Sequence, residues 1–201
     1  MDVEKKKRGR PRTFDRKQVV EQAMLGYWEE GPQSLSINEI CRRIGVSKPA
    51  IYREFGGEDG LMVSVLRDYE SLMTQQLLML SADGDSFAVV LNNILSFMTQ
   101  DREIPTGCLL VKMRLSPDRL GEKSREKLRE IRSRIRQFYT SLAKKAIQRG
   151  EIKDTFSVDL VTHFLENQFA MVLIQMSEGE DVTMIREQVQ LAFSGLLKDS
   201  S

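Results

Sequence analysis

The chain has 201 residues, 41% of them apolar and 29% charged, and its 30 Lys and Arg nearly cancel its 29 Asp and Glu. That suits one large domain or two small ones around a real core, while the longest uncharged run, Ser86 to Gln100, is 15 residues, short of the roughly 18–20 a membrane-spanning helix needs. Two cysteines and one histidine are too few for a typical zinc site. No metal or other cofactor is expected; no apolar stretch follows the basic start, so no secretory signal is expected either, and Cys41 and Cys108 are read as reduced thiols of a cytoplasmic protein.

The charge is unevenly spread. Met1 to Lys17 holds Lys5, Lys6, Lys7, Arg8, Arg10, Arg12, Arg16 and Lys17 against Asp2, Glu4 and Asp15, leaving the remainder acidic. A basic head on an acidic body points to a polyanion partner at one end. Residues 1–12 read as a disordered basic arm. Val19/Val20, Ala23/Met24 and Tyr27/Trp28 recur every four residues as one helical face, stopped by Gly31-Pro32. Ile37, Ile40, Cys41 and Ile44 form a second, short helix, opened by the reciprocal capping box Ser36-x-x-Glu39. Gly45 ends it, Ser47 and Pro49 open a third helix, and Gly56-Gly57 closes that one. A longer helix is predicted from about Glu58 to Leu80 and another over Phe87 to Met98. After the Pro105-Thr106-Gly107 break, Ser116-Pro117 is expected to start a highly charged helix running to about Arg149, with Leu128, Ile131, Ile135, Phe138, Leu142 and Ile147 inward. Two more helices are predicted near Val158 to Met176 and Val182 to Lys198. With no sustained β-alternation, the fold class is all-α, about nine helices.

The second helix, the Gly45-Val46-Ser47 turn and the helix from Lys48 to Glu54 form a helix-turn-helix. Gly45 supplies the positive φ of the turn, Val46 fills the angle, and Ile51 and Phe55 face the core. Lys48, Pro49, Ala50, Tyr52 and Arg53 are left outward, where a recognition helix meets base edges. Ser47 and Arg53 are candidate phosphate partners, and Ser36 is a further candidate DNA-binding residue. In the arm, Arg8, Arg10 and Arg12 flank an Arg-Gly-Arg-Pro string that suits a minor-groove hook; a tail acting through phosphate attraction alone is the alternative.

Phe14-Asp15, Ile37-x-x-Ile40-Cys41-x-x-x-Gly45-Val46-Ser47 and Tyr52-x-x-Phe55 followed by Leu61 resemble the TetR family of bacterial transcriptional regulators, over about 45 residues from Arg16 to Leu61. The resemblance implies a three-helix DNA-binding head (13–60), a ligand-binding and dimerisation body (61–201), a homodimer formed by the last two long helices on a palindromic operator, and repression relieved by a ligand. Lys48 and Tyr52 match the family's base- and phosphate-proximal positions. Cys41 stands where the family often has Ala and reads as a buried thiol. Glu58 stands where the family usually has Lys, so one phosphate contact is missing.

The helix near Val158 to Met176 is apolar around most of its girth and must be buried on two sides. Phe169, Val172, Leu173 and Met176, with Ile185, Val189, Phe193 and Leu196 of the last helix, are the candidate dimer interface. Cys108 opens a helix after a break, where the dipole favours thiolate, with Arg102 and Lys112 near in sequence. Thr106-Gly107-Cys108-Leu109-Leu110-Val111 resembles the stretch in TetR-type sensors of electrophiles and oxidants. The alternative is a small buried hydrophobe, in which case an apolar inducer would be held among Met73, Phe97, Met113, Phe138, Phe164 and Met171. The charged helix reads as a solvated face of i, i+4 pairs. Two other classes compete: an architectural minor-groove binder using only the arm, and an enzyme using Cys108 with His163 oriented by Glu166.

Overall fold

In the computed structural model of the chain, residues 14–101 and 105–198 are described. Arg8, Arg10, Arg12 and Arg102 lie outside them. Nine α-helices follow one another among the described residues: α1 (Arg16–Glu30), α2 (Ile37–Ile44), α3 (Lys48–Phe55), α4 (Glu58–Met79), α5 (Phe87–Met98), α6 (Leu109–Arg114), α7 (Glu122–Gln148), α8 (Val158–Glu178) and α9 (Val182–Ser194). Each start follows local chemistry. The Asp15 carboxylate accepts from the Gln18 amide at 3.1 Å, and Ser36, Ser47, Ser86, Ser157 and Asp181 cap their helices in the same way, satisfying amides with no intrahelical partner. The reciprocal half of the expected capping box is not made: the Glu39 carboxylate turns instead to Arg42 and Arg43.

Two other helix ends differ from expectation. Ser116-Pro117 opens only a three-residue 3-10 turn, Pro117–Arg119, and α7 begins at Glu122. The reason is long-range. Leu120 is buried, and the Asp59 carboxylate of α4 accepts from the Lys123 and Ser124 amides at 3.1 and 3.0 Å, pinning the helix start there. α9 stops at Ser194 because the chain turns back, with the Lys153 amide donating to Leu196 at 3.3 Å and that of Lys198 to Glu151 at 3.1 Å.

The buried residues form two clusters. The first joins α1–α4 to Cys108–Met113, Leu120, Leu128 and Ile131; the second joins α5, the later part of α7, α8 and α9. The core of the three-helix head is therefore continuous with α6 and the start of α7. Close approach inside the head depends on Gly60, where a Cβ would lie 1.7 Å from the Phe55 carbonyl oxygen.

The apolar girth of α8 does split between two sides, but most residues assigned to the dimer side are inside the protomer. Phe169, Val172, Ile185, Val189, Phe193 and Leu196 are all buried in the second cluster, and Leu173 and Met176 are half-buried against the two cores. Phe169 stacks on Tyr139 at 5.7 Å and meets Phe193 edge-on at 5.7 Å. Burying a side chain of this size contributes about 1.5–3 kcal/mol, so these residues hold the body together. The apolar residues that remain outside are Leu160 and Met171 on α8 and Met184 and Leu191 on α9. On α7 the charge pairing is not of the i, i+4 type. Lys127 and Arg134 both reach Glu70 of α4, at 2.8 and 2.6 Å, and Lys127 also meets Glu130 at i+3.

Candidate nucleic-acid interface and its coupling to the body

α2 and α3 meet at Gly45, whose φ of 74° is left-handed and whose amide donates to Cys41 at 2.9 Å. Glycine takes this conformation without the steric cost a Cβ imposes. Ile51 is fully buried under the turn, while Phe55 is half-buried between Phe14 and the guanidinium of Arg16. Those anchors fix the face of α3 that points out. Ser47, Lys48, Pro49, Tyr52 and Arg53 are exposed and Ala50 is half-buried; Ser36 is exposed at the start of α2. The Lys48 ammonium stands 5.8 Å from the centre of the Tyr52 ring, so a cation and a phenol share one patch. The Ser47 oxygen accepts from the Ala50 amide, which leaves its own hydrogen free to donate.

The head is braced by groups that sequence spacing did not reveal. The Arg43 guanidinium bridges Glu30 of α1 and Glu39 of α2, and the bonds from Arg42, joined by that from Arg43, pull the Glu39 carboxyl down to about 2. Arg16 pairs with Glu54 at 3.2 Å and donates to Ser64 at 3.2 Å. Three further ties run from head to body. The Trp28 indole N–H donates to the Gly107 carbonyl at 3.2 Å, Lys112 of α6 donates to the carbonyls of Trp28 and Glu29, and Arg119 donates to Pro32 and pairs with Glu58. The signal for such contacts lies 61 to 87 residues away in sequence, beyond any local pattern.

Cys108 is buried at the start of α6, and the Tyr69 hydroxyl donates to its sulfur at 3.4 Å. Burial pushes the thiol up; the bond from Tyr69 opposes this only in part. The expectation of a dipole-stabilised thiolate is thus reversed, because desolvation outweighs the short helix. Lys112 sends its ammonium to α1 rather than to the sulfur. Tyr69 in turn meets Trp28 edge-on at 4.9 Å, so sulfur, phenol and indole form one chain from α6 through α4 to the head.

The six residues proposed to line an inducer pocket do not converge. Met113 is buried and Met73 half-buried in the first core, Phe138 and Phe164 pack on the second, Phe97 is half-buried on α5, and Met171 is exposed. A cleft of about 420 Å³ lies instead between the α4–α5 link, α5 and the end of α7, and of the six only Phe138 lines it. The enzyme constellation is not assembled either. Glu166 is 3.7 Å from His163, but that ring is exposed beside Arg136, whereas Cys108 is buried against Tyr69.

The description "Bacterial regulatory proteins, tetR family" matches residues 20–65, and "Tetracyclin repressor-like, C-terminal domain" matches residues 87–190. The chain belongs to the TetR family. Members are DNA-binding regulators of transcription rather than enzymes, and this chain is a DNA-binding regulator of the TetR repressor type. It is 29% identical over 199 residues to the HTH-type transcriptional repressor ComR of Escherichia coli K12, covering 91% of this chain and 89% of that protein. Among solved structures, a cysteine mutant of CifR complexed with 26-bp operator DNA superposes with a TM-score of 0.79 at 22% identity, covering 94% of this chain and 100% of that one. The reduced form of E. coli NemR gives a TM-score of 0.76 at 14% identity, covering 92% and 99%. These two likenesses concern the fold. No helix among the described residues is long and apolar enough to cross a membrane.

Proposed function

We propose that this TetR-family regulator is a homodimeric cytoplasmic repressor. Its head (13–60) grips a palindromic operator, and an event in its body (61–201) releases it. The carrying observation is the exposed patch on α3, where Lys48, Tyr52 and Arg53 stand outward from a helix fixed by Ile51 and Phe55. Lys48 reads base edges, while Tyr52, Ser47, Arg53 and Ser36 hold phosphates. The arm residues Arg8, Arg10 and Arg12 add attraction to the duplex.

Dimerisation is assigned to the outer face of α8 and α9. Leu160, Met171, Met184 and Leu191 are 52–76% exposed there. Apolar side chains gathered on one face are a sign of a covered surface, and a two-fold axis through it would pair the two heads.

Release follows one of two routes. An inducer bound in the body, with the 420 Å³ cleft beside Phe138 as a candidate place, would shift α4 and change the separation of the heads. Alternatively, modification of Cys108 would displace Tyr69, since an adduct on the buried sulfur has no room, and the movement would reach Trp28. Both change operator fit without touching the DNA contacts.

The test is operator binding by Lys48→Ala and Tyr52→Phe. Each is expected to weaken binding while leaving the dimer intact. Unchanged binding by both would overturn the reading face. An arm-only architectural binder would instead keep its affinity in Tyr52→Ala and lose it on deletion of residues 1–12.

A further inference from the structure

The first turn of α4 is fastened to the body at two consecutive residues. Glu58 pairs with Arg119 at 3.1 Å, and the same guanidinium donates through Nε to the Pro32 carbonyl at 3.0 Å, in the turn after α1. The neighbouring Asp59 accepts from the Lys123 and Ser124 amides at the start of α7. Partial burial works to raise that carboxyl, but the bonds from Ser124 and Lys123 outweigh it and leave it below the usual range. Gly121 lies so close that a Cβ there would come within 2.3 Å of the Asp59 carboxyl carbon. Three segments far apart in sequence therefore meet at one point: Pro32, Glu58-Asp59 and Arg119 to Ser124.

We infer that the connection between α6 and α7 is a clasp that sets the angle of the DNA-binding head on the body, with Arg119 and Glu58 as its positioning residues. The planar guanidinium holds two acceptors from different elements in fixed geometry, the α1–α2 turn and the start of α4. The head is thus held at two points by one side chain of the body. This accounts for an acid at position 58. A lysine there would face Arg119 and repel it, whereas Glu58 gives up a phosphate contact for a tie between head and body. Movement of α6 or α7 is then passed to the head at Pro32 as well as along α4. The inference rests on the proposed operator-binding dimer, because the angle of each head matters only when two heads must fit one operator.

The test uses the full-length chain with a nitroxide at Gln22→Cys, an exposed position on α1, in a Cys41→Ala, Cys108→Ala background that leaves a single thiol to label. Head-to-head distances by pulsed electron resonance, and operator binding by anisotropy, are measured for the parent, Arg119→Gln, Glu58→Gln and the double variant, at a temperature where all are folded. Each single change is expected to broaden the distance distribution and weaken operator binding by about fivefold or more. The double variant is expected to be no worse than the weaker single, since the two residues act through one contact. Unchanged distances, or losses that multiply in the double variant, would overturn the clasp. A parent protein that fails to dimerise, or that binds every duplex equally, would overturn the operator reading instead, and that result appears before any substitution is made.

Discussion

The ammonium of Lys112, on α6, donates to the carbonyl of Trp28 in the last turn of α1, at 2.6 Å, and to that of Glu29 at 3.1 Å. A cation at a helix C-terminus satisfies carbonyls that lack intrahelical partners and opposes the negative end of the dipole. Here it comes from the body and lands on the head. Lys112→Met keeps the apolar stem and removes the charge and donors. The expected cost is about 1–2 kcal/mol, read as a fall of about 2–8 °C in Tm. An unchanged Tm would mean that the contact contributes nothing.

Tyr27 carries the opposite expectation. It is fully buried, and its hydroxyl has no hydrogen-bond partner among the described residues. Burial, with the charge of Glu58 adding to it, pushes its ionisation up. An unsatisfied buried hydroxyl costs free energy that phenylalanine does not. Tyr27→Phe is expected to leave Tm unchanged or raise it, by up to about 1 kcal/mol of stability. A clear loss would show that the hydroxyl has a partner in solution.

The buried thiol gives a pH dependence of definite sign. Because burial raises Cys108 in the folded state, the unfolded chain gives up that proton first as pH rises. Its contribution is full below the unfolded thiol's range of about 8.5 and declines as pH climbs through the folded value. Tyr69, pushed up by burial beside Cys108, acts in the same direction at still higher pH. Urea unfolding at pH 7, 8.5 and 9.5 checks this. The parent is expected to lose more stability over that span than Cys108→Ala; equal slopes would contradict a neutral buried thiol.

Two substitutions separate surface from core on the last helices. Leu191 is 76% exposed, whereas Val172 is fully buried. Leu191→Glu is expected to give folded monomers by sedimentation with little change in the far-ultraviolet signal. Val172→Ala is expected to keep the dimer and lose about 1–3 kcal/mol of stability through a core cavity. The reverse pattern would return the interface to the buried residues.

Local signals carried the helices and the helix-turn-helix. The i, i+3, i+4 spacing of Ile37, Ile40, Cys41 and Ile44 and the Gly45 turn read the same in sequence and structure, and Phe87–Met98 has the bounds read from the sequence, with Ser86 as its cap. Periodicity also showed that α8 has two apolar sides. It could not say which side is inward, since Phe169 and Met171 are equally apolar, and only packing against Tyr139 and Phe193 separates them. The start of α7 was misread because Ser116-Pro117 is a sound local start that loses to a cap from Asp59, 64 residues away for the Lys123 amide. Of the residues named for a pocket, Met73 and Met113 belong with the first cluster and Phe138 and Phe164 with the second, because membership of one cavity is a long-range property. Cys108 drew notice for its helix start, but its chemistry is set by burial and by Tyr69.

The most direct test of the account is a fluorescence-anisotropy titration of the full chain against the DNA upstream of its own coding sequence. It is run at two salt concentrations, with and without a thiol-reactive electrophile, for the parent and for Cys108→Ser. The account predicts tight, salt-sensitive binding to that duplex over an unrelated one of equal length. Loss of binding on electrophile treatment in the parent but not in Cys108→Ser would assign release to the cysteine route, and binding indifferent to the electrophile would assign it to an inducer. Weak binding, equal for every duplex, would contradict the central claim that α3 reads an operator.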